Sequence, residues 1–263
     1  MTHLLKLMLL FVLPFSIGCT MKKRSPEYNP EIYFSETELP LGRAISEGNG
    51  SELKRLIKQG NVDINKPGKE GYTYLLYAIQ TLSYDMVKIL LENGADPNIL
   101  SPRTYVPGAG NQSKPENKAC IETVCYSRYN IKYLKLLVKY GANINDKRVG
   151  APLSQAIFGD QTDKIDFLLK NGADVNIVAI EGLPPLITAA DLGRFELVER
   201  FLDLGADPFI EIRGLTLQES IQYNIESSEG HPKNKELKRK LIRRLEAQGI
   251  KFDFSKAKFK MQD

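Results

Sequence analysis

The sequence predicts an all-α chain: a solenoid of about six helix-turn-helix repeats with hairpin fingers projecting from one edge. Two observations predict it. Glycines recur at 60, 94, 141, 172, 205 and 249, mostly 19 residues after a leucine that opens an apolar stretch. Between leucine and glycine lie two short segments of helical periodicity, and a unit of roughly 33 residues built this way marks a stacked repeat. A third observation, the absence of any composition break, keeps the 263 residues in one folded unit.

The elements follow in order. Pro40, Pro152 and Pro185 each stand where a helix should begin. Proline there gives up only an amide that would be unpaired, and its fixed φ already suits the helix. Three residues after the opening leucines come Ala44, Ala78, Ala156 and Ala189, small enough to let neighbouring first helices approach closely. Second helices carry apolar residues at helical spacing: Leu53, Leu56 and Ile57; Met86, Val87, Leu90 and Leu91; Leu134, Leu137 and Val138; Ile165, Leu168 and Leu169; Leu197, Val198, Phe201 and Leu202. Each glycine then supplies a left-handed helix stop, and the Asp/Asn-rich tail after it favours a turn that projects as a finger. No unit of this kind buries its apolar face alone, so the stack supplies stability and its end units act as caps.

Four glycines open the tail Gly-Ala-Asx-x-Asn/Phe, as in Gly172-Ala173-Asp174-Val175-Asn176 and Gly205-Ala206-Asp207-Pro208-Phe209. The helix starts read Leu39-Pro40-Leu41-Gly42-Arg43-Ala44, Thr73-Tyr74-Leu75-Leu76-Tyr77-Ala78, Ala151-Pro152-Leu153-Ser154-Gln155-Ala156 and Pro184-Pro185-Leu186-Ile187-Thr188-Ala189. This resembles the ankyrin repeat, whose helix start is Thr-Pro-Leu-His-x-Ala. The resemblance implies an ankyrin-repeat solenoid over residues 38–252 whose concave face and fingers bind protein.

Residues 1–18 carry Lys6 and then the apolar run Leu7 to Leu13, too short to span a bilayer. With Ser16-Ile17-Gly18-Cys19 the segment resembles a bacterial lipoprotein signal cut before Cys19, although Ser16 stands where leucine is usual. An ordinary signal peptide or an uncleaved anchor is the alternative. The resemblance implies lipidation of Cys19, a polar tether over 19–37, and residence on the periplasmic side of a bacterial envelope. Thr20 in place of aspartate favours the outer membrane. Residues 253–263 form a basic tail: from His231 onward there are eleven Lys/Arg against four Asp/Glu, so the net +4 divides into +7 there and −3 before it.

Binding candidates come from departures from the repeat. The interval from Gly94 to Gly141 is 47 residues, and the excess falls in Ile99 to Lys118. It is either a tolerated surface insertion or a contact loop anchored by Arg103, Tyr105 and Val106. The fourth and fifth fingers are unusually apolar, and Val178, Ile180, Phe209 and Ile210, if exposed together, form an interface patch. Tyr72 and Tyr77 are expected to extend that patch along the concave side, with Tyr74 packed. A second insertion, Asn224 to Lys235, precedes a last helix, Glu236 to Ala247, that combines an apolar stripe with a basic face: a solvated cap, or a surface for acidic protein or anionic lipid.

Catalysis is not expected. After signal removal one histidine is left, His231, with no nucleophile elbow to accompany it. No phosphate-binding glycine motif is present, so no cofactor is expected. Cys120 and Cys125 read as reduced, part-buried thiols, with a disulfide as a minority alternative; a metal is less expected still, because no histidine cluster joins them. Nucleic acid is excluded as a partner outside the cytoplasm.

A lipid-tethered ankyrin protein of this size is similar to the immunity proteins that neutralise type VI secreted phospholipase effectors in Gram-negative bacteria. That resemblance implies a phospholipase toxin as partner, blocked sterically, with the membrane reached through the N-terminal lipid. An envelope scaffold or stress-related adaptor is the alternative.

Overall fold

The computed structural model describes residues 28–102, 117–126, 129–180, 182–227 and 235–253. A four-residue helix, α1 (Pro30–Tyr33), precedes six helix pairs: α2 (Leu39–Glu47) with α3 (Gly50–Gln59), α4 (Tyr74–Gln80) with α5 (Tyr84–Glu92), α6 (Cys120–Cys125) with α7 (Ile131–Lys139), α8 (Pro152–Phe158) with α9 (Thr162–Lys170), α10 (Pro185–Asp191) with α11 (Phe195–Asp203), and α12 (Leu217–Ser227) with α13 (Lys235–Ala247). First helices stack on first helices, and second helices on second helices, so the chain is a solenoid with an inner and an outer layer. The prolines start helices as expected, Pro152 and Pro185 at the first position and Pro40 at the second.

All six stop glycines are left-handed, with φ from 70° at Gly60 to 97° at Gly249. A side chain there would press on the carbonyl that follows, which is why the position selects glycine. The apolar stripes of the outer helices meet the inner helices in one continuous core, in which Leu53, Val87, Leu90, Leu134, Leu137, Ile165, Leu168, Val198 and Phe201 are fully buried.

Neighbouring repeats are tied along the finger edge by asparagine. The Asn65 amide donates to the Gly94 carbonyl at 2.9 Å while its oxygen accepts from the Asp96 amide at 2.8 Å. Asn98 repeats this with Gly141 and Asn143, Asn145 with Gly172 and Asp174, and Asn176 with Gly205 and Asp207. Each asparagine is itself held in place by the Asx two residues earlier, as where the Asn145 amide donates to Asn143 Oδ1 at 2.9 Å.

On the opposite edge, where inner helices turn into outer ones, carbonyls at the ends of α4, α6, α8 and α10 are satisfied by the repeat that follows. Tyr133 donates to the Leu82 carbonyl at 2.7 Å, Lys164 to Tyr126 at 2.6 Å, Arg194 to Ile157 at 3.1 Å, and Asn224 to Ala190 and Asp191 at 2.9 and 2.8 Å. Unpaired helix-end carbonyls are costly when buried, and a cation there also suits the helix dipole.

The last inner helix carries a capping box, and the turn that leads into the first one carries half of that arrangement. Ser35 donates through its amide and hydroxyl to Glu38 Oε2 at 3.0 and 2.7 Å, and Thr216 does the same to Glu219 while its hydroxyl accepts from the Glu219 amide. Burial alone would raise the Glu38 carboxyl, but the Ser35 bonds and Lys66 at 3.6 Å hold it below its ordinary value.

Two expectations need correction. Residues 28–37 are not all tether: α1 packs on the solenoid, with Tyr33 and Phe34 in the core. The insertion of the last repeat does not begin at Asn224, because α12 continues to Ser227, where Asn224 caps the preceding inner helix. The projecting fingers are present, and among the described residues strand pairing occurs in two of them, β1 (Ser101–Pro102) with β2 (Asn117–Lys118) and β3 (Glu211–Ile212) with β4 (Leu215–Thr216). Elsewhere asparagine and Asx turns shape the fingers, so short strands add little.

Candidate binding surface

The apolar fingertip residues divide as solvent meets them. Val178 is 42% exposed, Ile180 67% and Phe209 62%, whereas Ile210 is half-buried against the core. The fingers bearing them are linked to their neighbours through the backbone of Ile180, whose amide donates to the Lys147 carbonyl at 2.9 Å and whose carbonyl accepts from Arg213 at 3.0 Å. Three apolar side chains are thus held outward on adjoining fingers.

Phe209 departs furthest from the local rule. It stands at the position occupied by Asn65, Asn98, Asn145 and Asn176, and its own amide is held by Asp207 Oδ1 at 2.9 Å as theirs are. Phenylalanine cannot form the amide rung to the next repeat, and its ring lies in water. A residue that gives up a stabilising bond and exposes apolar surface together is where function is to be sought.

The tyrosine extension of the patch is overturned. Tyr72 is 1% exposed and Tyr77 is fully buried, so neither can meet a partner from this surface. Their cover is the segment before the first repeat: Tyr33 lies against Tyr72 and Tyr77 at centroid distances of 4.5 and 5.4 Å, and Phe34 stacks on Tyr74 at 4.5 Å. Tyr74 is packed, as expected, and donates to the Glu38 carbonyl at 2.9 Å; burial, with Glu38 nearby, raises its hydroxyl. Asn29-Pro30, a capped helix start, and the pair Tyr33-Phe34 were the legible signals of that cover.

Arg103, Tyr105, Val106, Cys19 and His231 lie outside the described residues. The base of their loop is nonetheless defined for the first three: β1 pairs with β2, and the buried Ser101 hydroxyl accepts from the Thr73 amide and donates to its hydroxyl, both at 3.3 Å, at the start of α4.

Cys120 and Cys125 are free and buried, and Cys120 is the first helical residue of α6 with Ala119 as its cap. Burial pushes both thiols up to about 12, Cys120 further raised by Asp96 and Cys125 eased by Lys164. Thiols so protonated are poor nucleophiles. Among the described residues no cluster of His, Cys, Asp and Glu could hold a metal, and no helix is long and apolar enough to cross a membrane.

The last helix is a cap with its basic face partly engaged. Leu241, Ile242 and Leu245 are buried, Arg244 bridges Glu199 and Asp203 of α11 at 2.7 Å each, and Lys238 sits 5.3 Å above the Phe195 ring. Lys240 and Arg243 face solvent.

A second exposed apolar set was missed. Tyr126 and Phe158 stack at 6.1 Å on the turn edge, 42% and 59% exposed, and Leu82 and Leu192 at the turns of other repeats are exposed as well. They fall just after the helical periodicity ends, where no pattern flags them.

The family model "Ankyrin repeats (3 copies)" matches residues 9–101 and 121–212. Similar proteins include alpha-latrocrustotoxin-Lt1a of Latrodectus tredecimguttatus, 25% identical over 61% of this chain and 14% of its own length. An ankyrin repeat protein of Rickettsia bellii is 27% identical over 51% of this chain and 37% of its own, and the ankyrin repeat protein nuc-2 of Neurospora crassa 29% over 65% and 15%. The chain therefore spans well under half the length of these relatives. The crystal structure of the human ASB11 ankyrin repeat domain superposes with a TM-score of 0.56 at 22% identity, covering 78% of this chain and 82% of that one, a likeness of fold.

Proposed function

The chain belongs to the ankyrin-repeat family, and from that premise we propose that it is a lipid-anchored envelope protein that captures a phospholipase toxin through its fourth and fifth fingers. The fold is one of protein–protein interaction, not of turnover, and the shielded thiols agree with that reading. Phe209 is the observation that carries it: the asparagine that four other fingers use for stability is replaced by an exposed ring on the finger that follows the one bearing Val178 and Ile180. Apolar anchors at the centre of a contact carry most of its energy. Neutralisation would be steric, with the fingers covering the mouth of the lipase active site at the membrane, and a lipid on Cys19 would raise the local concentration of the captor.

Affinity capture from envelope extract, read by mass spectrometry, tests this with the mature chain and its Phe209→Asn variant. The expected result is recovery of a lipase by the native chain and loss of about tenfold, or 1.4 kcal/mol, in the variant, whose thermal stability is unchanged or higher. Equal recovery by the variant would remove the fingers from the contact. Recovery of a wall component or a non-toxic enzyme instead would support the envelope-scaffold alternative. Cys19→Ala is expected to move the protein to the soluble fraction, and retention in membranes would refute the anchor.

A further inference from the structure

The segment before the first repeat does not pack on the first repeat alone. It touches both inner helices α2 and α4 and the finger between them. Phe34 is stacked on Tyr74 and edge-on to Tyr77 at 5.1 Å. Tyr77 donates to the Tyr28 carbonyl at 2.6 Å and Lys69, in the finger, to the Glu31 carbonyl at 2.9 Å, while Arg43 of α2 pairs with the Glu31 carboxylate at 2.8 Å. An end cap would have no reason to reach the second repeat.

The groove is shaped to this occupant. A methyl group at Gly42 would overlap the Phe34 ring, and one at Gly68 would come within 2.6 Å of the Tyr33 carbonyl and 2.8 Å of Phe34. The first inner helix, moreover, starts from the turn that leads into it, where the Leu39 amide donates to the Ser35 carbonyl at 2.8 Å, outside residues 28–34. Recognition in the groove combines backbone carbonyls, held by Tyr77 and Lys69, with two aromatic pockets, which is how short peptides are bound.

We propose that residues 28–34 are an intramolecular ligand of a peptide-binding groove formed by Gly42, Gly68, Lys69, Tyr72, Tyr74 and Tyr77. The ligand class is a short peptide ending in two adjacent aromatic residues, and the bound segment withholds the groove from other proteins. Partner capture is thereby confined to later repeats until the segment is displaced. This rests on residues distant from the fourth and fifth fingers, and its failure would leave the proposed function standing.

The probe is a fluorescent synthetic peptide of residues 28–36, titrated against the full native chain and against the full chain carrying Tyr33→Ala with Phe34→Ala. The expected result is saturable binding to the double variant, at least about tenfold tighter than to the native chain, because the native groove is occupied by its own segment. A peptide with the same two substitutions should not compete. Equal binding to both chains, or none to a folded double variant, would overturn the proposal. Should the double variant fail to fold, hydrogen exchange of the native chain decides. Amides of residues 31–34 exchanging about tenfold faster than those of α4 would show a segment that opens alone, and matching rates would show an integral part of the first repeats and overturn the proposal.

Discussion

Along the finger edge, Asn65, Asn98, Asn145 and Asn176 make the same pair of bonds to the next repeat; along the turn edge, the corresponding task falls to Tyr133, Lys164, Arg194 and Asn224. The difference is one of geometry. At the fingers the two groups to be bridged, a glycine carbonyl and an Asx amide, are backbone atoms fixed by identical turns, so one side chain of one length fits every step. At the turns the accepting carbonyl varies in place: Ile157 and Ala190 lie inside their helices, Tyr126 one residue past α6 and Leu82 two residues past α4. Each is met by whatever donor reaches. A regular edge is therefore built from interchangeable parts and an irregular one from singular parts.

Breaking a singular part should do most damage. Lys164 is 1% exposed, and burial lowers its ammonium below the ordinary lysine value even though its charge faces the end of α6. Lys164→Ala should cost about 3 kcal/mol, from the vacated volume and the orphaned Tyr126 carbonyl together. Lys164→Met, which keeps the volume, should cost about half as much. Urea denaturation measures both; a Lys164→Met chain as stable as the native one would mean that packing, not carbonyl capping, is what Lys164 supplies.

A rung of the regular edge comes next. Asn145→Ala removes two bonds between the third and fourth repeats and should cost about 2 kcal/mol, at about 1 kcal/mol per bond. Because neighbours alone couple a solenoid, the same change should also broaden the transition. A loss no larger than a few tenths of a kcal/mol would show these half-exposed amides to be replaced by water, and would erase the contrast between the edges.

This contrast also sets what could be read in advance. The glycine stops, the proline starts and the apolar stripes were legible because each answers a backbone requirement that recurs at a fixed interval. The Asn of the tail motif was visible too, although its bonding was not. Lys164 and Tyr133 look like ordinary solvent-side residues of amphipathic helices, since nothing local reveals that a carbonyl of another repeat lies above them. Tyr72 and Tyr77 misled for a similar reason: their periodicity fits a concave face, and only the return of residues 28–34 buries them. Val178, Ile180 and Phe209 were legible as exceptions, apolar residues where the pattern calls for polar ones.

The turn edge also carries backbone strain that the helix stops at Gly60, Gly94, Gly141, Gly172, Gly205 and Gly249 assign to glycine. Leu82 and Asp160 have φ of 57° and 54° at the position where Gly48 and Gly193 have 64° and 66°. Leu82→Gly should stabilise by about 0.5–1 kcal/mol, the relief of the left-handed conformation exceeding the added freedom of the unfolded chain. Since Leu82 is half-exposed and its carbonyl still accepts from Tyr133, little packing is forfeited. A thermal shift downward would mean that the Leu82 side chain contributes more than its exposure suggests.

The smallest effect distinguishes the edges by acid. Asp146, buried at the third finger, is held below the ordinary carboxylate value chiefly by the Arg148 side-chain bonds, which outweigh its burial; Arg148 in turn reaches the Asn98 carbonyl of the previous finger at 2.9 Å. A carboxyl whose folded pKa is depressed contributes stability that is complete above its unfolded value, ordinarily 3.8, and is lost as pH falls through the folded one. Arg148 is half-exposed, so solvent screening reduces the contribution to a few tenths of a kcal/mol. The native chain should therefore lose slightly more thermal stability between pH 5 and pH 3 than Asp146→Asn, whereas Lys164→Met should track the native chain through the same interval, because the lysine stays protonated throughout. Were the lysine variant the one to diverge in acid, the turn edge would hold a titrating carboxylate partner for Lys164, and its role as a carbonyl cap would have to be rewritten as that of an ion pair.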